Sequence, residues 1–278
     1  MKPAPFSYEA PSSSGQVVER LRDSGGQAKL LAGSQSLGPM LNLRLARPAT
    51  LIDVAMLPEL RSCRELSDSV EIGAAVTHAE IEDGDVPDPT GGWLQAVAAN
   101  IAHRAVRNRG TLGGSLVHAD PAADWVIVMT GLGADVLLDG PAGGREVAID
   151  AFITGPYETV LGEDEIVRAV RVNKPGPDAR WSYRKFVRQV GEFAKASATI
   201  LVDTPSSRPR IAIGALGRQP LLLESASSQS LFNGEATAAE VLAKALPDRS
   251  QQDLALHSAM LARAMADVHN SDNGSAAT

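Results

Sequence analysis

The sequence predicts a mixed α+β protein with a larger N-terminal unit and a smaller C-terminal unit. Three observations lead to this prediction. Short apolar segments typical of strands are interspersed with segments of helical spacing, too irregularly for a simple doubly wound sheet. The stretch KPGPDAR, residues 174–180, has the composition of a linker. No internal repeat of fixed period is present. We therefore predict domains over 1–175 and 178–270, and a disordered tail over 271–278.

The elements of the larger unit follow from local patterns. Residues 16–23 have helical spacing, and the two glycines at 25–26 provide a stop. Strands are predicted at 29–32, 50–54, 69–74, 134–138 and 166–172. Residues 82–92 are predicted to form a surface loop, and 93–102 a helix. Asp120 as the N-cap and Pro121 in the first helical position predict a further helix that runs to about residue 132.

The smaller unit combines the same two kinds of segment. Strands are predicted at 183–187 and 210–216, and helices at 237–246 and 252–268. The apolar segment 196–202 fits either a strand or a helix.

Charge and composition exclude several classes of function. The formal net charge of −7 disfavours a nucleic-acid partner, which selects basic surfaces. No apolar run is long enough to span a bilayer, and the N-terminal stretch lacks the apolar core of a secretory signal. The cytoplasm is the expected location. Cys63 is the only cysteine, so this chain alone cannot ligate an iron–sulfur cluster or a cysteine-rich zinc site. We expect no metal on this chain, and any redox chemistry here needs an organic cofactor.

Two loops of small and hydroxyl-bearing residues are the most informative motifs. AGSQS, residues 32–36, follows an apolar strand, and TLGGS, residues 111–115, leads toward a helix. Small residues allow a ligand to approach the backbone, whose N–H groups can hold an anion. A diphosphate that spans both loops would receive donors from each. Ordinary turns share this composition, and neither loop fits the dinucleotide-binding or P-loop fingerprint.

These loops, with their flanking sequence, resemble a known family. AGSQSLGPMLNLRLARPATLIDV and VRNRGTLGGSLVHADPAADW are similar to the FAD-binding medium subunit of molybdenum hydroxylases. The resemblance continues through FITGPYETVLGEDEIVRAVRV and YRKFVRQVGEFA. It implies a two-subdomain FAD-binding fold of the vanillyl-alcohol oxidase type, with subdomains at roughly 1–57 and 58–175 and a smaller C-terminal flavoprotein domain.

The resemblance also implies which residues bind FAD. The first loop would hold the pyrophosphate with six residues, Ala32, Gly33, Ser34, Gln35, Ser36 and Leu37. The second would do so with Gly110, Thr111, Gly113, Gly114 and Ser115. The remaining matches are Ile101 and Ala102 lining the cofactor, Ala123, the carboxylate of Asp124, the apolar Val167, Lys185 near the flavin and Phe193 beside the isoalloxazine. No residue of this chain is expected to be catalytic.

Several of these residues have simpler interpretations. Asp124 could serve only as an acidic first-turn residue of a helix. Lys185 could be an ordinary exposed charge. The basic run His103, Arg104, Arg107 and Arg109 could be a solvated face, or could meet a phosphate or a partner subunit. His78 is expected at the surface or in packing, and Trp125 in the core.

The resemblance implies an electron-transfer role. A large subunit would hydroxylate the substrate at molybdopterin, and a small subunit with [2Fe–2S] clusters would pass electrons to FAD on this chain. A dimer of heterotrimers is the expected assembly. Ser34, Gln35 and Ser115 depart from the commoner residues of the carbon monoxide enzymes and favour a branch that oxidises N-heterocycles. The alternatives are a stand-alone FAD oxidoreductase and a non-enzymatic nucleotide-binding module.

Overall fold

The computed structural model describes residues 2–204, 208–270 and 275–277. The chain begins with a small parallel sheet of order β1-β3-β2. Helix α1 starts at its N-cap Ser13, whose hydroxyl accepts from Gln16 N, and ends at Gly25, which has a φ of 53°. Val17 and Leu21 form the buried stripe of this helix, one turn apart. The elements of this part are β1 (Ser7–Glu9), α1 (Ser14–Ser24), β2 (Ala28–Leu31), α2 (Leu37–Asn42), β3 (Thr50–Asp53) and α3 (Pro58–Arg61).

A second, antiparallel sheet has the order β4-β5-β10-β6-β7, with a separate hairpin of β8 and β9. Its elements are β4 (Cys63–Glu65), β5 (Ser69–Gly73), α4 (His78–Asp83), α5 (Trp93–Ala99), α6 (Arg104–Arg107), α7 (Leu112–His118), α8 (Asp124–Leu132), β6 (Asp135–Gly140), β7 (Gly143–Ala148), α9 (Ile149–Phe152), β8 (Ile153–Gly155), β9 (Glu158–Thr159) and β10 (Ile166–Asn173).

The third sheet has the order β14-β13-β12-β11-β15 and carries helices from the C-terminal region. Residues 196–202 form its fully buried strand β12, which resolves the alternative left open above. The elements are β11 (Arg180–Phe186), β12 (Ala196–Val202), β13 (Arg210–Gly214), β14 (Leu221–Leu222), α10 (Ser225–Phe232), α11 (Ala238–Ala245), α12 (Gln251–Asn270) and β15 (Ser275–Ala277).

Helix α8 joins the second and third sheets. All its residues are buried, and it packs against β10, β12 and β13. A stacked pair, Trp93 of α5 and Trp181 of β11, adds a second junction, with ring centroids 5.2 Å apart. The C-terminal sheet is therefore firmly attached to the rest, and it brings β11 close to the start of α8. The predicted mixed α+β class is confirmed, whereas the proposed domain boundaries stay a prediction.

The predicted start of α8 is wrong by three residues. Its N-cap is Ala123, and Asp124 is the first helical residue. The Asp120 carboxylate instead accepts from Ala122 N (2.9 Å) and from the Tyr157 hydroxyl (3.0 Å). These contacts hold Asp120 in a turn before the helix, because aspartate can bond to the backbone two residues further on. The correction places Asp124, rather than Asp120, at the helix terminus.

The predicted tail lies largely outside the described residues, at 271–274 and 278. Ser275–Ala277 form β15, which pairs in parallel with Ser182–Arg184 of β11. β15 is therefore the edge strand on this side of the third sheet, next to β11.

Candidate functional site

The first loop connects β2 to α2 and keeps open backbone donors. Ser34 has a φ of 61°, a left-handed conformation that glycine adopts most easily. Glycine would therefore also suit this position. Its carbonyl accepts from Gly38 N at 3.0 Å. Within the described part of the chain, the N–H groups of Ser34, Gln35 and Ser36 donate to no protein acceptor. They are therefore available to an anionic ligand.

The second loop is built differently. Thr111 caps α7, with its hydroxyl accepting from Gly114 N at 3.1 Å. Leu112 N donates to Val76 O (3.0 Å), and Gly113 N donates to Ala74 O (2.9 Å). Most backbone amides of the second loop are therefore already used by the protein, whereas those of the first loop are open. The groups that remain there for a ligand are the Thr111 N–H and the Ser115 hydroxyl.

The structure brings the two loops into direct contact. Gly33 packs against the backbone of Arg109 and Gly110. A Cβ atom built on Gly33 would lie 2.6 Å from Arg109 C and 2.7 Å from Gly110 Cα, and closer still to the Arg109 carbonyl oxygen. Only glycine permits this approach, since the obstructing atoms belong to the backbone. The loops, which are more than 70 positions apart in the sequence, therefore form one continuous surface.

A buried charge cluster lies beside this surface. Asp124 Oδ1 accepts from both Lys185 Nζ and Tyr183 OH, each at 2.7 Å. Lys185 Nζ also donates to Asn100 O at 2.8 Å, which leaves its third N–H unused by these two bonds. Burial and the neighbouring Asp124 carboxylate raise the pKa of Tyr183 well above its usual value. Tyr183 is therefore a neutral donor at any physiological pH.

The burial of this cluster decides between earlier interpretations. The interpretation of Lys185 as an ordinary exposed charge is wrong, because the residue is only 4% exposed. Asp124 does occupy the first turn of α8, but it is buried and paired there. A buried charge is costly unless it is paired and hydrogen-bonded, so this ion pair is a specific feature of the fold.

The turn at Ile101 and Ala102 is held by Arg107. Its guanidinium donates to both carbonyls, at 3.0 and 3.3 Å, and forms a two-pronged ion pair with Glu82. Ala102 has a φ of 45°, so this support stabilises a strained backbone. Arg104 also pairs with acidic residues of α4, Glu82 and Asp83. Arg107 is therefore largely buried and committed to the turn and to Glu82, whereas Arg104 is an exposed residue in surface ion pairs.

A cavity of about 290 Å³ adjoins the charge cluster. Ala102, His103 and Lys185 line it. Val190, in the loop between β11 and β12, also lines it. Phe193, in the same loop, is about half exposed, at 54%. Lys195 N donates to Phe186 O at 2.8 Å and closes the hairpin below this loop. Ala102 and Lys185 thus line the same cavity, and Phe193 lies in the loop that contributes Val190 to it.

The other two predicted residues are buried. Ala123 is the N-cap of α8 and lies directly before Asp124. Val167 lies in β10, opposite Leu138 of β6, beside an irregularity in the strand register. It is 5% exposed and belongs to the main core.

Sequence reasoning did not identify His78 as part of this region. Its ring Nδ1 accepts from Trp125 Nε1 at 3.0 Å, and Trp125 is fully buried, as expected. Burial, together with the positive charge of Arg107, lowers the pKa of His78 to about 4. The available signal was Thr77-His-Ala-Glu80, a capping box that starts α4 and places His78 in its first turn. Tyr183 was likewise missed, because a strand tyrosine has no distinctive pattern.

The lowered pKa predicts that acid destabilises the protein through His78. The unfolded chain takes up a proton near pH 6.5, whereas the folded His78 does so only near pH 4. The contribution of the neutral His78 to the free energy of unfolding is therefore fully present above pH 6.5 and is lost as the pH falls toward 4. Between pH 7 and 5 we expect this residue to cost about 2 kcal/mol of unfolding free energy. Urea titrations of the wild type and His78→Asn should diverge in pH dependence by this amount, and parallel pH profiles would contradict the assignment.

Comparison with known proteins agrees with the geometry. Residues 4–175 match a family model described as the FAD binding domain in molybdopterin dehydrogenase. The chain is 35% identical to the carbon monoxide dehydrogenase medium chain of Hydrogenophaga pseudoflava, over 87% of this chain and 85% of that one. It is 36% identical to the nicotine 6-hydroxylase medium subunit of Paenarthrobacter nicotinovorans, over 78% and 77% of the two chains.

Solved structures extend the similarity to almost the whole chain. A chain of the Hydrogenophaga pseudoflava carbon monoxide dehydrogenase superposes with a TM-score of 0.90 at 34% identity, covering 97% of this chain and 99% of that one. Quinoline 2-oxidoreductase from Pseudomonas putida 86 gives a TM-score of 0.83 at 32% identity, with 96% and 98% covered. No helix in the described ranges combines the length and apolarity needed to cross a bilayer.

Proposed function

The chain belongs to the family of FAD-binding domains of molybdopterin dehydrogenases, and on that premise we propose that it is the FAD-carrying electron-transfer subunit of a heterotrimeric molybdenum hydroxylase. The observation that carries the proposal is the contact of Gly33 with Arg109 and Gly110, beside open N–H groups at Ser34–Ser36. Two loops joined in this way form a single platform for a ligand with paired phosphates.

The residues present fit FAD. Ser34, Gln35 and Ser36 would hold phosphate oxygens with their N–H groups, and the second loop would add Thr111 N–H and the Ser115 hydroxyl. Ala102, Lys185 and Phe193 would contact the rest of the cofactor, with Ile101, Ala123, Asp124 and Val167 in support. Gly113 and Gly114 let the second loop pack closely, since a Cβ atom would lie 2.5 Å from Ala74 Cβ at Gly113 and 2.7 Å from Thr111 Oγ1 at Gly114. When bound, FAD supplies a redox centre that takes electrons singly or in pairs.

The protein contributes orientation and electrostatics rather than acid–base chemistry. Lys185 keeps a positive charge in a buried position, and Asp124 and Asn100 O fix the direction of its ammonium group. A fixed buried charge acts more strongly than an exposed one, because solvent screens it less. Tyr183 holds the Asp124 carboxylate from the other side. No residue of this chain is assigned as a catalytic acid or base.

The proposal includes partner chains. A large molybdopterin subunit would hydroxylate the substrate, and a small subunit with [2Fe–2S] clusters would donate electrons to this chain, which passes them to an external acceptor. The lone Cys63 supports this division, since the chain cannot ligate such clusters itself. We further propose a dimer of these heterotrimers, a cytoplasmic location and an N-heterocyclic substrate. Relatives named for nicotine, caffeine and quinoline support the last point.

Native co-purification tests this proposal. We expect this chain to purify with two partners in a complex that contains flavin, iron and molybdenum, measured by the visible spectrum and metal analysis. The recombinant chain mixed with FAD should retain flavin after gel filtration but should not hydroxylate substrate. Turnover by the isolated chain would favour a stand-alone oxidoreductase, and a colourless chain that rejects FAD would favour a nucleotide-binding module.

A further inference from the structure

His78 lies between α8 and the junction of the two loops. Its side chain is 6% exposed, and its position is fixed by the hydrogen bond from Trp125 Nε1 to His78 Nδ1. Trp125 directly follows Asp124 in α8, so this bond connects the imidazole to the helix that carries the buried charge cluster. None of the interactions assigned above to FAD involves His78.

The hydrogen bond also fixes the tautomer of the ring. Since Trp125 Nε1 can only donate, Nδ1 must be unprotonated, and the proton of the neutral ring is on Nε2. The lowered pKa keeps the ring neutral at physiological pH. The imidazole is therefore held in one orientation and in one protonation state.

The Nε2–Cδ2 edge of this ring lies close to Gly110, at the start of the second loop. A Cβ atom on Gly110 would lie 2.7 Å from His78 Nε2 and 2.9 Å from His78 Cδ2. His78 is also hydrogen-bonded to Gly110 through the backbone, because its N–H donates to Gly110 O at 2.9 Å. Gly110 in turn contacts Gly33 of the first loop. Trp125, His78, Gly110 and Gly33 thus form an unbroken series of contacts from α8 to both loops.

We propose that His78 is a positioning residue that sets the separation of the two FAD-binding loops through its imidazole ring. The inference rests on the proposed FAD site. The ring acts as a spacer of fixed orientation, with Trp125 on one edge and Gly110 on the other. Removal of the outer part of the ring lets Gly110 move away from Gly33, and the loops then lose their matched geometry for a diphosphate.

His78→Asn tests the inference in the full chain. The shorter amide keeps an acceptor for Trp125 but does not reach Gly110. We expect the Kd for FAD, measured by quenching of flavin fluorescence, to rise about tenfold or more. The matched control is His257→Asn, at an equally buried histidine that bonds Asp253 O and Gly214 O in the C-terminal region. It should lower the melting temperature and leave the Kd within about twofold. An unchanged Kd in His78→Asn would overturn the proposal.

A second pair of variants separates spacing from general instability. Gly110→Ala places a methyl group against the imidazole and should also weaken FAD binding. Combining it with His78→Ala removes the two closest contacts of that methyl group and leaves Val106 O at 3.2 Å, so the double variant should bind FAD more tightly than Gly110→Ala alone. If the losses of FAD affinity in Gly110→Ala and His78→Ala simply add in the double variant, the spacer role is overturned. A wild-type chain that binds no FAD would instead overturn the proposed function, and this inference with it.

Discussion

Replacing Lys185 by Met should destabilise the protein by about 3 to 5 kcal/mol, the usual cost of removing one partner from a buried ion pair. The Met side chain retains most of the apolar contacts but removes the ammonium group. The Asp124 carboxylate then keeps only the Tyr183 hydroxyl of its two side-chain partners, and Asn100 O loses its donor. Urea unfolding at pH 7, followed by circular dichroism, measures the loss.

Two further variants make this prediction specific. Lys174→Met removes an ammonium from a partly exposed pair with Glu65 (3.6 Å) and should cost at most about 1 kcal/mol. The double variant Lys185→Met/Asp124→Asn removes both charges and keeps an acceptor for Tyr183. It should recover much of the stability lost in Lys185→Met, since no buried charge is then left unpaired. A Lys185→Met protein as stable as the wild type would mean that the ion pair is not formed.

The element types were predictable where the local pattern is strong. Helix α1, with its serine cap and glycine stop, and the strands at 50–53 and 69–73 lie within a few residues of their predicted bounds. The start of α8 was not predictable in the same way. Asp120 and Pro121 have the residue types of a helix start, but Tyr157, 37 positions away in sequence, bonds the Asp120 carboxylate. That competing tertiary contact is invisible in the local sequence.

In the candidate site, too, local patterns could be predicted from the sequence and tertiary contacts could not. The small-residue loops could be recognised as ligand-binding segments, but their contact depends on Gly33 packing against Arg109 and Gly110 across the fold. The difference between the loops also depends on tertiary structure, since Val76 and Ala74 take the N–H groups of the second loop. The burial of Lys185 could not be predicted from Arg-Lys-Phe, a tripeptide equally typical of an exposed strand.

Gly33→Ala should abolish the matched arrangement of the loops and weaken FAD binding about 100-fold, which corresponds to about 2.7 kcal/mol. The added methyl group would overlap the carbonyl of Arg109 and approach Gly110 Cα to 2.7 Å. Because these are backbone atoms, no rotamer change relieves the overlap, and the loops must separate. Overpacking of this kind commonly costs about 1 to 3 kcal/mol of stability as well.

Gly15→Ala is the matched control, since the same methyl group in α1 has no atom within 4 Å. There it should raise the free energy of unfolding by about 0.5 kcal/mol, through the better helix propensity of alanine, and leave FAD binding unchanged. Fluorescence titration with FAD and thermal unfolding of both variants separate affinity from stability. If Gly33→Ala binds FAD like the wild type, the diphosphate does not depend on contact between the two loops, and the geometric basis of the proposed cofactor site is lost.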